Sequence, residues 1–271
     1  MVKRFFYTLF ILATAVSAQA QSNKIVYDFG DKEASFSPNP GASSTTFLPK
    51  SNSAKSLRAR VRTSSDGTGE FNLVKKGADF IKGVGLEIIA GSSTSKFSLY
   101  NTGSFSVAKT SFNVQFDDSA AGQWVFANGV SQNSDDLFQG NSGIRETSNE
   151  VFAGLRWNLS PANEMNFYTR NGLKWANVKS FQFLKNTAYL IEIYSNNSAE
   201  ERKYSKDGDY SLKPGIYHVW VNGKKISVDF VSGGLEVGKA LNALLVYGVK
   251  VKGIEETAKA WVDNIEISEG L

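Results

Sequence analysis

The stretch Ala260-Trp261-Val262-Asp263-Asn264-Ile265-Glu266-Ile267-Ser268 decides the fold. Successive side chains of a strand point to opposite faces, so Trp261, Ile265 and Ile267 share one side of the pleat. That is the pattern of a closing β-strand with one buried face. Asp263 falls in the same phase, where an unpaired charge is costly. The stretch predicts an all-β chain with a carboxylate near its seam that needs a partner.

The same alternation recurs outward from this strand. Phe112, Val114 and Phe116 point one way, and Ser111, Asn113, Gln115 and Asp117 the other. Leu57, Ala59 and Val61 oppose Arg58, Arg60 and Arg62, while Val151, Ala153, Leu155 and Trp157 form a core face opposite Phe152 and Arg156. The apolar run 241–251 suits a central strand. Short β-rich runs separated by Gly, Ser and Asn, with no fixed repeat or heptad, indicate a sandwich or barrel. Only 238–245 offers a brief helical alternative. Two polar stretches, 35–53 and 132–150, are surface loops long enough to be functional rims.

Asn-Gly pairs stand at Asn128-Gly129, Asn171-Gly172 and Asn222-Gly223. Such a pair accepts positive φ at both central positions of a tight hairpin turn. A turn on Asn222-Gly223 pairs Val221 with Lys224, Val219 with Ile226 and Tyr217 with Val228. It leaves Trp220 opposite Lys225 and His218 opposite Ser227, an aromatic on a polar face. A turn on Asn171-Gly172 pairs Arg170 with Leu173 and Tyr168 with Trp175. Tyr168, Arg170 and Trp175 then share one face.

The N-terminus has the character of a processing segment. Lys3 and Arg4 precede an apolar run over 5–16, and Ser17-Ala18-Gln19-Ala20 offers small residues two apart. A signal peptide over 1–20 is expected, followed by a single domain over 21–271. The run is too short to span a bilayer. The 271 residues include no cysteine, which excludes an N-terminal lipid anchor on cysteine and any disulfide. A lipid-free protein, secreted or periplasmic, is the expectation. The formal charge of +4 includes Lys3 and Arg4, so the remaining balance gives little ground for nucleic-acid binding. No membrane span is expected after signal cleavage.

Four ordered pieces carry a family likeness. Ile25-Val26-Tyr27-Asp28-Phe29 has the form of an opening strand, and Gly122-Gln123-Trp124-Val125-Phe126 follows the Asp117-Asp118 turn. The segment 217–223 is a Val-Asn-Gly hairpin, and 261–267 is a final strand begun by an Asp. Together, over nearly the whole mature chain, they resemble the concanavalin A-like lectin/glucanase jelly rolls, in particular the secreted laminin-G-like domains of Bacteroidetes. The resemblance implies a two-sheet antiparallel jelly-roll sandwich. It also implies sugar binding or cleavage on the concave sheet, often with structural calcium on the convex side.

The residues weigh against cleavage. Glycoside hydrolysis needs two carboxylates flanking the scissile bond, and the Glu-x-Asp-x-x-Glu strand of the retaining glucanases is absent. A polysaccharide lyase would take His218, the only histidine, as base, with Arg58, Arg60 and Arg62 gripping an acidic glycan. Its Arg-x-Glu-x-Arg and Gln-Ile-His strands are missing too. No catalytic residue is assigned. Binding without catalysis suits the chain better: rings stack on sugar C–H faces while planar polar groups take hydroxyls. The candidate ligand-binding residues are Trp220, His218, Trp175, Tyr168, Arg170, Asn113 and Gln115, with Trp220 foremost; Trp124 offers a further platform, and Asp117 and Arg156 further hydrogen-bonding groups. Asp263 and Asp28 lie on strands that should meet, and they are the candidate ligands of a structural calcium. No cofactor is required. The expected partner is a polysaccharide or cell-surface glycan. A lyase and a structural or adhesive envelope protein stand as alternatives.

Overall fold

The computed structural model describes residues 23–65, 67–91, 94–131, 137–140, 143–251 and 253–271. The expected signal segment lies outside the described residues, as do Asp135, Asp136 and Asn141 of the second polar stretch. In chain order the strands are β1 (Lys24–Tyr27), β2 (Ala34–Phe36), β3 (Ser43–Ser44), β4 (Arg58–Thr63), β5 (Glu70–Val74), β6 (Gly85–Ala90) and β7 (Thr94–Phe105). There follow β8 (Val107–Phe116), β9 (Gly122–Gly129), β10 (Val151–Leu159), β11 (Glu164–Asn171), β12 (Lys174–Asn177), β13 (Phe183–Leu184) and β14 (Tyr189–Asn196). The last are β15 (Arg202–Ser205), β16 (Asp209–Leu212), β17 (Ile216–Val221), β18 (Lys224–Lys225), β19 (Phe230–Val231), β20 (Leu241–Val249) and β21 (Ala258–Glu269).

Two antiparallel sheets form the expected jelly-roll sandwich. The first runs β18-β17-β14-β8-β21-β6-β5-β2, with β1 on β21 and β19 on β17. The second runs β12-β11-β10-β9-β20-β7-β4-β3, with β13 on β11. A separate hairpin, β15-β16, lies outside both. The 238–245 segment is not helical: Gly238 stands in a turn at φ 90° and 241–245 opens β20, which is central as expected. Among the described residues no helix is long and apolar enough to cross a membrane.

The core lies between the sheets. Phe112 of the first sheet stacks on Phe126 of the second at 4.5 Å between centroids, and Phe116 meets Trp157 at 5.1 Å. Deleting such a buried ring typically costs about 3–5 kcal/mol. The expected faces of β8 and β4 hold, with Phe112, Val114, Phe116, Ala59 and Val61 in the core.

β-Bulges break the simple alternation in β21 and β10, and another register shift lies between Leu241 and Ala243 of β20. In β21 the core residues are Ala258, Ala260 and Val262, then Ile265 and Ile267. The register against β8 shifts between Asp263 and Glu266, and Asn264 adopts φ 53°. One extra residue resets the parity. Trp261 therefore lies on the outer side of the first sheet, half-buried, and does not share the core face of Ile265 and Ile267. In β10 the register shifts between Val151 and Ala153. Val151 packs on the outer side and Phe152 in the core, the reverse of expectation. The Asn128 side chain accepts the Ala153 N–H at 3.0 Å at this bulge, so Asn128-Gly129 lies within β9 and not in a turn.

The two remaining Asn-Gly pairs behave differently. Asn222 and Gly223 both take positive φ, 49° and 77°, and Val221 pairs with Lys224 as predicted. Farther out, Tyr217 pairs with Phe230 and not with Val228. At the other hairpin the loop is Gly172-Leu173, because Asn171 pairs with Lys174 and Arg170 with Trp175. A slip of two residues keeps every side chain on its face. Tyr168, Arg170 and Trp175 therefore still share one side.

Candidate functional site

The outer face of the second sheet is built by alternation. With Phe97, Trp124, Phe126, Leu155, Trp157 and Phe167 turned into the core, the residues between them face outward. Lys96, Tyr247, Val125, Arg156 and Tyr168 stand in one transverse row of paired positions. The next row toward β12's start carries Ser98, Leu245, Ala127 and Gly154, then Arg170 paired with Trp175. On the other side Val249, Gln123, Asn158 and Asn166 form a third. None of these three rows contains a carboxylate.

The middle of this face is closed. Leu137 and Phe138, with Ile144 beside them, pack on Val125, Ala127, Leu245 and Tyr247. Burial pushes the Tyr247 hydroxyl up to about 12. Lys96 Nζ donates to the Gly140 carbonyl at 2.6 Å. Arg170 fastens the cover: its Nε donates to the Gly233 carbonyl at 3.1 Å and its Nη2 to those of Glu146 and Ser148 at 2.8 and 3.0 Å. Only 1% exposed, Arg170 spends on the fold the donors that a ligand would need. Burial pulls its pKa down.

The open end lies at β10–β12. The Arg156 guanidinium carbon sits 4.3 Å from the Tyr168 ring centroid and 4.7 Å from that of Trp175. All three residues are partly exposed. Trp175 can lie over the strand because Gly154 has no Cβ; one would come within 3.3 Å of the indole and 2.9 Å of the Arg170 Cβ. Among the described residues Arg156 makes no hydrogen bond to the protein, and its Nε is buried without an acceptor. Burial lowers its pKa, an effect opposed by Tyr168 and Tyr247. Beside it Gln123 Nε2 donates to Asn158 Oδ1 at 3.2 Å.

Trp220 and His218 are on the opposite side of the molecule, on the outer face of the first sheet. The expectation of an aromatic open on a polar face does not hold for Trp220, because the β15-β16 hairpin covers it. Trp220 is 0% exposed and clusters with Tyr194, Tyr204 and Leu212. Its Nε1 donates to Tyr204 Oη at 2.9 Å, and that oxygen lies 2.8 Å from His218 Nδ1. An oxygen that accepts from the indole has its proton to give to Nδ1, which leaves the imidazole proton on Nε2. Nε2 sits 2.8 Å from Asp229 Oδ1, off hydrogen-bond alignment. His218 is 2% exposed; burial first, then Lys225, lowers its pKa to about 4. It is neutral at pH 7. Glu192, unnoticed in the sequence, closes the group by accepting from Lys109 at 2.7 Å and pairing with Lys206. Burial works against the Glu192 carboxylate, yet the two lysines hold its pKa below the ordinary value.

Asn113 and Gln115 also lie on the first sheet, away from Trp175 and Tyr168. Asn113 Oδ1 accepts from Asn264 Nδ2 at 3.2 Å at the β21 bulge. The first and last strands do meet, β1 pairing with β21 through Tyr27 and Ile265. Asp263 is 3% exposed, and burial, with Asp28 adding repulsion, raises its carboxyl to about 6. Asp263 Oδ1 accepts from Asn264 N at 2.7 Å and Asp28 Oδ1 from Gly30 N at 3.0 Å. Among the described residues no third His, Cys, Asp or Glu joins them. Two carboxylates fall short of the six to eight oxygens calcium takes.

The sequence candidates thus divide between two opposite faces, and the residue at the centre of the open one is Arg156. Its placement opposite the core face of β10 was the signal that pointed to it.

No protein-family model and no curated protein matches this chain. Among solved structures it is similar to the binding domain of botulinum neurotoxin DC in complex with SialylT, at 12% identity and a TM-score of 0.43. That match covers 82% of this chain and 45% of the toxin domain, so the chain spans less than half of that structure. A LamA variant from Z. galactanivorans, in complex with laminaritriose and laminaritetraose, matches at 8% identity and TM-score 0.43 over 70% of this chain and 80% of that one. A structure from work on endo-acting O-glycanases of human gut microbiota matches at 7% and 0.43 over 72% and 84%. Likeness at this level carries no argument about the ligand.

Proposed function

We propose that this chain binds carbohydrate or another surface polymer, without catalysis, at the open end of the second sheet's outer face. The supporting observation is Arg156, held over Tyr168 and Trp175 with no acceptor from the protein. Partly exposed rings offer apolar surface to sugar C–H groups, while Arg156, Gln123 and Asn158 offer planar donors and acceptors to hydroxyls. Hydrolysis by the common two-carboxylate route is disfavoured because the three rows of this face hold no carboxylate. The lyase alternative has its base, His218, under a hairpin on the other face. A calcium at Asp28 and Asp263 would draw its other ligands from carbonyls or water and would serve the scaffold.

The test is a glycan array scored for the wild type and Trp175→Ala, with and without chelator. Binding that survives chelation and is lost in Trp175→Ala is expected, with no release of product. Absence of binding to any glycan would overturn the reading. Release of unsaturated product from uronate polymers, lost in His218→Ala, would favour the lyase.

A further inference from the structure

We propose that the ligand of the Arg156 patch is an anionic glycan, one whose sugar-borne carboxylate or sulfate takes the in-plane N–H edge of the guanidinium. This rests on the carbohydrate-binding reading and narrows it to a substrate class.

Other buried or partly buried cations of this molecule are met by acceptors of its own. Lys109 and Lys206 share Glu192. Lys185 Nζ donates to the carbonyls of Asp118, Ser119 and Ser160. Arg170 is spread over four carbonyls. Arg156 has none of this among the described residues. A guanidinium carries five donors, no acceptor, and a charge it does not give up in a protein. Here two aromatic rings hold it in place of an acid. Rings engage a guanidinium through its flat faces, so they fix its orientation and leave the in-plane edge to other partners. A carboxylate or sulfate brings two anionic oxygens to two parallel N–H donors at once, which a single hydroxyl cannot do.

The surroundings favour an anion as well. Gln123, Asn158, Asn166 and Asn177 around the patch are uncharged. Glu164 shares the outward phase of β11 but stands four residues from Tyr168, roughly 13 Å along the strand. In the covering segment Glu150 accepts from Gln139 at 2.9 Å, and the Glu146 carboxylate acts on Arg170, whose cation it favours. A ring-stacked, partly dehydrated guanidinium exchanges little water on meeting a carboxylate or sulfate. The position therefore discriminates in favour of a charged sugar over a neutral one.

The experiment measures affinity at 150 mM salt for polygalacturonate, a sulfated polysaccharide and a neutral β-glucan. The variants are Arg156→Gln, Arg156→Lys and Lys213→Gln, the last exposed and outside the patch, with circular dichroism confirming the fold of each. At least one anionic polymer is expected to bind tenfold or more tighter than the β-glucan. Arg156→Gln should lose tenfold or more on that polymer alone, Arg156→Lys should restore part of it, and Lys213→Gln should change it less than twofold. The uronate and sulfate arms identify the anion. Equal affinity for neutral and anionic polymers, insensitive to Arg156→Gln, would overturn this inference and leave the binding reading standing. An equal loss in Lys213→Gln would overturn it in favour of diffuse attraction to a basic protein. No binding to any polymer would overturn both.

Discussion

On the outer side of the first sheet Lys206 lies over Trp220 at 4.7 Å and near Tyr194 at 5.9 Å. On the outer side of the second sheet Arg156 lies over Trp175 at 4.7 Å and Tyr168 at 4.3 Å. The two faces thus carry the same arrangement, a cation against two rings. They differ in what completes it. The first supplies Glu192 as the acid and a hairpin as the cover, so the Lys206 cation is answered internally. The second supplies neither at its open end. The difference teaches that aromatic stacking of a cation does not by itself mark a binding site. The marker is whether the protein supplies the acceptor.

The comparison can be broken most directly with two alanines. Trp220→Ala should cost about 3–5 kcal/mol by chemical denaturation, the usual cost of emptying a buried aromatic site. Trp175→Ala, partly exposed, should cost less than about 1.5 kcal/mol while removing glycan binding. Equal costs would erase the distinction between a closed face and an open one. Arg170→Ala comes next. It leaves the carbonyls of Glu146, Ser148 and Gly233 without this donor and should cost about 3 kcal/mol, with faster limited proteolysis within 143–150.

The closed face should also show itself through pH. The folded His218 has a pKa of about 4 against an unfolded value near 6.5. Folding favours its neutral form, so its contribution is fully present above about pH 6.5 and is lost as pH falls toward 4. The size is about 2–3 kcal/mol. Asp263, raised to about 6 by burial and by Asp28, works in the opposite sense, destabilising as pH rises from about 4 through 6. Wild type and His218→Asn should therefore diverge in Tm between pH 4 and 6.5, the variant losing less on acidification. Identical profiles would show that His218 is accessible to protons in the folded state. The smallest effects sharpen the contrast. Tyr204→Phe leaves Trp220 Nε1 and His218 Nδ1 unpaired and should cost about 1–2 kcal/mol. Tyr168→Phe, on the open face, should stay within about 0.5 kcal/mol.

The period-two pattern made the sandwich legible. The faces of β4 and β8 and the central β20 follow from the residues themselves, while the meeting of β1 with β21 follows from the jelly-roll resemblance. What alternation could not show was where one residue is inserted. A bulge leaves no fixed signature in side-chain chemistry, so Trp261 and Phe152 were assigned to the wrong sides. The loop at Gly172-Leu173 stands one residue beyond the expected Asn171-Gly172, which shifts the pairing by two and preserves the face shared by Tyr168, Arg170 and Trp175. Trp220 failed as a platform for a different reason. Its polar-face phase is real, but the covering hairpin comes from 200–212, where Glu200, Glu201, Asp207 and Asp209 mask the apolar residues between them. Its Tyr204, Tyr210 and Leu212 are what bury the tryptophan. Arg170 shared the right face yet was already engaged, which only the chain running over it could reveal.

The bulge at Asp263–Asn264 bears on how this chain can change by mutation. β21 pairs with β6 through its first half and with β1 through its second, while β8 runs along its other edge. The extra residue lets one strand serve two partners whose phases differ by one. Substitutions along β21 are therefore local events, each felt at its own position. A single-residue deletion at Asn264 is absorbed: with the extra residue gone, plain alternation keeps Ala258, Ala260, Val262, Ile265 and Ile267 together on the core side. The bulge is thus a reserve of chain length that β21 can lose without turning its core face to solvent.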